Sequence, residues 1–219
     1  MNKTIRILLA VIALAGNSFA QGKTYGTQIS GLFAIPTGRF SESFSTGFGG
    51  FGAMFYDLET YARLTLSGGY TTWSVNNDGI TQQYQERGGM GTINASGHIA
   101  AIPLIIGIQL ITPGPMRMYG TLEGGLYLYS VDVSARITDE LGNASDVPLD
   151  NSFRSEPAFV LGGGVLFPLQ ETTSLDVAAR YHFVNNTDVS TSSASTNIGT
   201  SQYFSLSIGL NYSFPLPPE

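Results

Sequence analysis

From residue 204 to residue 214 the chain alternates without a break. Phe204, Leu206, Ile208, Leu210, Tyr212 and Phe214 are large and apolar, while Ser205, Ser207, Gly209, Asn211 and Ser213 between them are small or polar. A period of two places the first set on one face of an extended strand and the second set on the other. The run is long for a strand of a soluble sandwich. It matches the segments of about ten residues with which membrane barrels cross a bilayer.

The same pattern recurs upstream. Leu175, Val177, Ala179, Tyr181 and Phe183 alternate with Ser174, Asp176, Ala178, Arg180 and His182. Met116, Met118, Gly120, Leu122, Gly124, Leu126 and Leu128 alternate with Arg117, Tyr119, Thr121, Glu123, Gly125, Tyr127 and Tyr129. Further strands are predicted at about 25–35, 47–57, 61–73, 94–111 and 157–168, which makes eight; the glycines from Gly47 to Gly52 leave the faces of the second without assignment. Only 12% of residues are charged, about half the usual fraction. Yet the longest apolar run, Ile99 to Ile111, is interrupted by Pro103, Gly107 and Gln109. An apolar chain without spanning helices has one other way to satisfy its backbone in lipid, a closed barrel.

The N-terminus supplies an address. Lys3 and Arg6 precede an uncharged run from Ile7 to Ala15, and Ser18-Phe19-Ala20 has the small-x-small form that a signal peptidase cuts. The expected organisation is a signal peptide over 1–20, an outer-membrane barrel over 21–214 and a short periplasmic tail over 215–219. Without Lys3 and Arg6, eight of the ten basic residues remain against sixteen acidic ones, a balance that argues against a nucleic-acid partner. Absence of cysteine excludes disulfides, thiol catalysis and cysteine metal sites.

Short connections at 57–60, 112–115 and 169–172 alternate with long polar ones at about 36–46, 75–93, 130–156 and 185–200. Strands that run up and down would then carry every long loop at one end, as outer-membrane barrels do, with short turns on the periplasmic side and long loops outside. The expected fold is an eight-stranded antiparallel up-and-down transmembrane β-barrel.

The alternation sends Arg63, Arg117, Glu123, Asp176 and Arg180 into the lumen. Buried charges need partners, so an internal ion-pair network is expected. It serves either as a plug, since eight strands enclose a space that side chains fill, or as the lining of a narrow gated pore. No motif carries chemistry. His98 stands in no ligand pattern, and the acidic residues of the third loop lack the order of a calcium loop, so no metal and no cofactor is expected.

Ser207-Ile208-Gly209-Leu210-Asn211-Tyr212-Ser213-Phe214 resembles the terminal-strand signal read by the barrel-insertion machinery, with Ser207, Gly209, Tyr212 and Phe214 at its marked positions. Pro215-Leu216-Pro217-Pro218-Glu219 then follows, where the family commonly stops at the aromatic residue. The segment Gly31-Leu32-Phe33-Ala34-Ile35-Pro36-Thr37-Gly38-Arg39-Phe40, with Gly47-Phe48-Gly49-Gly50, resembles the opening hairpin of the small outer membrane protein β-barrel family, which includes the outer membrane protein A transmembrane domain and the OmpX-like proteins. The resemblance implies a monomer in the cell outer membrane, in contact with membrane lipid and lipopolysaccharide, with a non-enzymatic structural or surface-interaction role played by its loops. The alternatives are a narrow pore or passage of a small hydrophobic solute, and a lipid A-modifying enzyme. Arg180-Tyr181-His182-Phe183-Val184-Asn185-Asn186 faintly resembles the His-x-Ser-Asn stretch of lipid A deacylases, but Val184 stands at the nucleophile position and has no group to activate.

Overall fold

The computed structural model describes residues 24–86, 92–138, 144–185, 188–190, 195–197 and 201–214. The expected signal peptide and C-terminal tail lie outside them. Eight strands alternate their side chains as the sequence pattern requires: β1 (Tyr25–Thr37), β2 (Gly47–Glu59), β3 (Ala62–Ser74), β4 (Thr92–Ile111), β5 (Arg117–Thr138), β6 (Ala144–Pro168), β7 (Thr173–Val184) and β8 (Ser201–Phe214). Each pairs antiparallel with its sequence neighbours, and β1 pairs with β8 from Tyr25–Phe214 to Thr37–Gln202, so the sheet closes on itself. Closure removes the unpaired edges that an open sheet would present. Beside the barrel, Asp188–Ser190 pairs with Ser195–Asn197 in a small ribbon.

Polarity is inverted relative to a water-soluble domain. Ile29 is 72% exposed, Met54 64% and Ile106 63%, while Arg63, Glu123, Asp176 and Arg180 are buried. Leu66, Leu110, Leu161 and Ile208 continue the outward apolar belt on other strands. A contiguous apolar surface of this extent suits contact with hydrocarbon. Among the described residues no helix is long and apolar enough to cross a membrane; the strands carry the apolar surface instead.

Three long connections differ from simple polar loops. The first contains α1 (Arg39–Ser43), which drops Phe40 and Phe44 into the barrel mouth. The second contains α2 (Asn77–Glu86). Its Ile80 and Tyr84, one helical turn apart, pack with Val75 on Ile93 and Ala95 of β4, and the Asn77 side chain accepts a hydrogen bond from the Ala95 N–H at 2.7 Å.

The third expected loop, 130–156, is largely strand: β5 runs on to Thr138 and β6 begins at Ala144. Polar outward residues hid the continuing alternation, in which Val131 and Val133 point inward and are buried while Asp132 and Ser134 are exposed. About ten residues cross a bilayer, so 22 in β5 and 25 in β6 carry the hairpin on the order of 40 Å further along its own axis. β4 joins this projecting sheet. It parts from β3 beyond the Ser74–His98 pair, where Gly97 takes φ +132° and a Cβ would collide with the Asp132 carbonyl oxygen, a bend only glycine makes.

Candidate functional site: the filled lumen

At the turn end, Asp57 and Arg63 face each other across β2 and β3. The Arg63 Nε lies 2.5 Å from Asp57 Oδ1, and its guanidinium lies over the Phe55 ring, 3.8 Å from the centroid. Asp176 on β7 accepts hydrogen bonds from the Gln28 amide and, at 2.9 and 3.1 Å, from the Tyr119 hydroxyl. Asp176 is thus held by neutral donors on β1 and β5.

One layer higher, Arg180 donates from Nε to Glu123 at 3.3 Å and from Nη1 to Ser207 at 3.2 Å, and its guanidinium lies 5.1 Å from the Phe51 ring centroid. Thr121 donates to the same Glu123 oxygen at 2.8 Å. Both charges are about 95% buried, where the mutual attraction offsets a desolvation cost of several kcal/mol per ion. β6 lies between the strands that carry them. It does not block the contact because its inward positions there are Gly162 and Gly164. A Cβ on Gly162 would fall 2.7 Å from Arg180 Cγ, and one on Gly164 would fall 2.7 Å from the Tyr119 hydroxyl. The bare stretch of β6 lets Arg180 reach Glu123 and Tyr119 reach Asp176.

Towards the loop end the polar layer becomes aromatic. Tyr203 donates to the Tyr127 hydroxyl at 3.1 Å; Tyr127 lies 2.6 Å from His182 Nδ1; His182 Nε2 lies 2.8 Å from Ser205 Oγ. Tyr203 stacks on the imidazole with centroids 4.1 Å apart. Trp73 meets Tyr203 edge-on at 5.0 Å, and Phe40 of α1 meets Trp73 at 5.4 Å. Phe40, Trp73, Tyr127 and Tyr203 are at most 1% exposed. Together they close the mouth.

His182 thus bridges Tyr127 and Ser205 through its two ring nitrogens. Between the polar and aromatic layers lies a cavity of about 40 Å³, bordered by Arg180, Glu123, Gln109, His182 and Ser205, enough for about two waters.

Of the five residues expected in the lumen network, Arg63, Glu123, Asp176 and Arg180 are buried inside. They form separate contacts instead of one network. Arg117, the first residue of β5, is half-buried at the turn end and joins neither ion pair. Sequence reasoning missed Asp57, read as part of a turn, and the glycine gap in β6. Asp57 stands six residues from Arg63 across a tight hairpin, and that spacing is the signal that pairs them. Among the described residues no cluster of acidic or histidine side chains suits a metal ion, and His98 lies exposed opposite Asp132 at the start of the projecting sheet. Ser207, Gly209, Tyr212 and Phe214 all lie in β8, with Ser207 buried inside and Tyr212 facing out.

No family model matches the chain, and no curated protein does. Among solved structures it is similar to Neisserial surface protein A, at 15% identity over 89% of this chain and 100% of that one, with a TM-score of 0.56. A major outer membrane protein from Thermus thermophilus, at 14% identity over 89% and 100%, gives a TM-score of 0.48. Ail, the attachment invasion locus protein of Yersinia pestis, gives 12% identity over 89% and 100%, with a TM-score of 0.46. The first of these likenesses establishes the fold, that of the small eight-stranded outer-membrane β-barrels.

Proposed function

We propose that this chain, folded as an outer-membrane barrel, is a non-conducting, non-enzymatic wall protein of the outer membrane that displays the projecting β4–β5–β6 sheet and its flanking helix for contact with molecules at the cell surface. One observation carries the reading: side chains fill most of the lumen, and Phe40, Trp73, Tyr127 and Tyr203, each at most 1% exposed, cap it. A barrel intended to conduct would keep a continuous wet path. Here about 40 Å³ remains open between the layers. The strength of the design lies outside the lumen, in strands that outrun the bilayer.

In this reading the outward apolar belt meets membrane lipid, the loop end meets lipopolysaccharide, the assembly machinery reads Ser207, Gly209, Tyr212 and Phe214 during insertion, and the protein acts as a monomer. The burial of His182 and Ser205 inside the lumen, with Tyr127 and Tyr203 packed against the imidazole, supports a structural role for both.

The test is single-channel conductance of the refolded protein in a planar bilayer, with Glu123→Ala and Arg180→Ala alongside. Silence from all three agrees with a plug. Stable openings in the wild type that grow when either charge is removed would replace this reading with a gated pore.

A further inference from the structure

The projecting sheet has an edge where β3 leaves it. β3 pairs with β4 as far as Ser74–His98, and the Val75 N–H adds one more bond, to the Gly97 carbonyl at 3.2 Å. In an antiparallel ladder alternate residues turn both backbone groups to the same side, so the next positions of β4 that face this edge are Ala95 and Ile93. The chain reaches both with side chains of α2. Asn77 accepts from the Ala95 N–H at 2.7 Å, and the Thr81 hydroxyl donates to the Ile93 carbonyl at 3.3 Å. The helix stands where a continuation of β3 would have paired.

Its hold on that edge is partial. A strand laid there would bond all four backbone groups that Ile93 and Ala95 turn outward, whereas Asn77 and Thr81 take two of them. Against the sheet, α2 sets Ile80 and Tyr84 on Ile93 and Ala95. Both remain half-buried, and Gln82, Gln85 and Glu86 face water. A helix of ten residues is marginal without tertiary support, so this seat supplies much of what keeps α2 in place. Edges of sheets need a cover, and this cover is easier to displace than a strand of the barrel wall.

We propose that the β4 edge from Ile93 to Gly97 is a strand-addition site for an extended segment of another polypeptide, and that α2 occupies it as an internal competitor. The incoming strand continues the line of β3 and takes over the bonds now made by Val75, Asn77 and Thr81. Its inner-face side chains replace Ile80 and Tyr84 on Ile93 and Ala95, so the segment is apolar at alternate positions. Main-chain bonds supply the affinity and these side-chain seats the selection. The proposal rests on the display reading and gives the displayed sheet its class of partner.

The probe is a fluorescein-labelled peptide that copies Tyr129–Ile137 of β5, the segment β4 already accepts on its other side from Ala101–Tyr129 to Ile93–Ile137. Binding to the refolded protein in detergent micelles is followed by anisotropy, with empty micelles as the baseline and a heat-shifted gel band to identify the folded barrel. Asn77→Ala with Thr81→Val removes both side-chain bonds but keeps Asn76, which accepts from the Gly79 N–H at 3.5 Å in the first turn of α2. Ile80→Cys with Ile93→Cys ties α2 to the sheet on oxidation, in a chain with no cysteine of its own, and loss of free thiol reports the bond. The expected result is saturable binding to the wild type, roughly tenfold tighter in the Asn77 and Thr81 double variant, lost in the oxidised pair and recovered on reduction. Absence of binding to the Asn77 and Thr81 double variant, or equal binding to every form, as a strand added to the β6 edge would give, overturns the site. Neither of those results opens the lumen, so conductance still decides the display reading separately.

Discussion

Removing Glu123 tests whether the interior is held by a specific pair or merely filled. In Glu123→Ala, Arg180 stays 95% buried with Ser207 and the Phe51 ring as its remaining partners. Breaking one side of a buried ion pair costs about 3–5 kcal/mol. The cavity of about 40 Å³ beside both groups has room for about two waters that partly solvate the guanidinium, so the expected loss is near the lower figure, about 3 kcal/mol. Arg180→Met leaves Glu123 with Thr121 alone, and a similar loss follows. Changing both to Met removes both charges at once and refills much of their volume, so its cost is expected to be about 1 kcal/mol, close to that of a volume-conserving core swap. The cycle therefore predicts a coupling of about 5 kcal/mol. It is read from guanidinium unfolding in detergent micelles, followed by Trp73 fluorescence. A double variant that loses the full sum of the two single losses would refute the pair as a unit and leave only generic filling.

Three further outcomes follow from the same geometry. Gly162→Val should destabilise the barrel by about 1–3 kcal/mol, because its Cβ meets Arg180 Cγ at 2.7 Å and the Ala179 carbonyl at 2.5 Å; the temperature at which the compact gel band disappears should fall. Phe40→Ala removes a fully buried ring from the lid, at a cost of about 3–5 kcal/mol, and should raise bilayer conductance only if Arg180 is also truncated, since the polar layer beneath is a second barrier. Ser205 should resist a fluorophosphonate probe in the folded protein, because it is buried inside the lumen; labelling at Ser205, detected by mass spectrometry, would show that the interior is open to the probe.

The location of the apolar belt follows from the chain alone. Alternation at Phe204–Phe214 and Leu175–Phe183 allows one outward face, and a one-residue slip would send Arg180 and Asp176 into the lipid. That is why the strands and most inward charges were legible. Boundaries of the projecting sheet were not. Beyond the membrane the outward face meets water, so Asp132 and Ser134 give the polar composition of a loop while Val131 and Val133 keep the strand's inward face. Helix α2 was hidden for a related reason: Ile80 and Tyr84 are a minority among polar neighbours, and their significance depends on Ile93 and Ala95 arriving opposite them.

Hydrophobic periodicity, charge sparsity and the run of strand-length segments belong to the sequence, because each is a property of neighbours along the chain. Which charge meets which belongs to the tertiary structure. Arg180 and Glu123 are 57 residues apart on strands that do not touch, and they meet because the curvature of a closed wall and the missing side chain of Gly162 bring them within reach. The lid is of the same kind: Phe40 becomes a stopper only when closure puts Trp73 and Tyr203 beneath it.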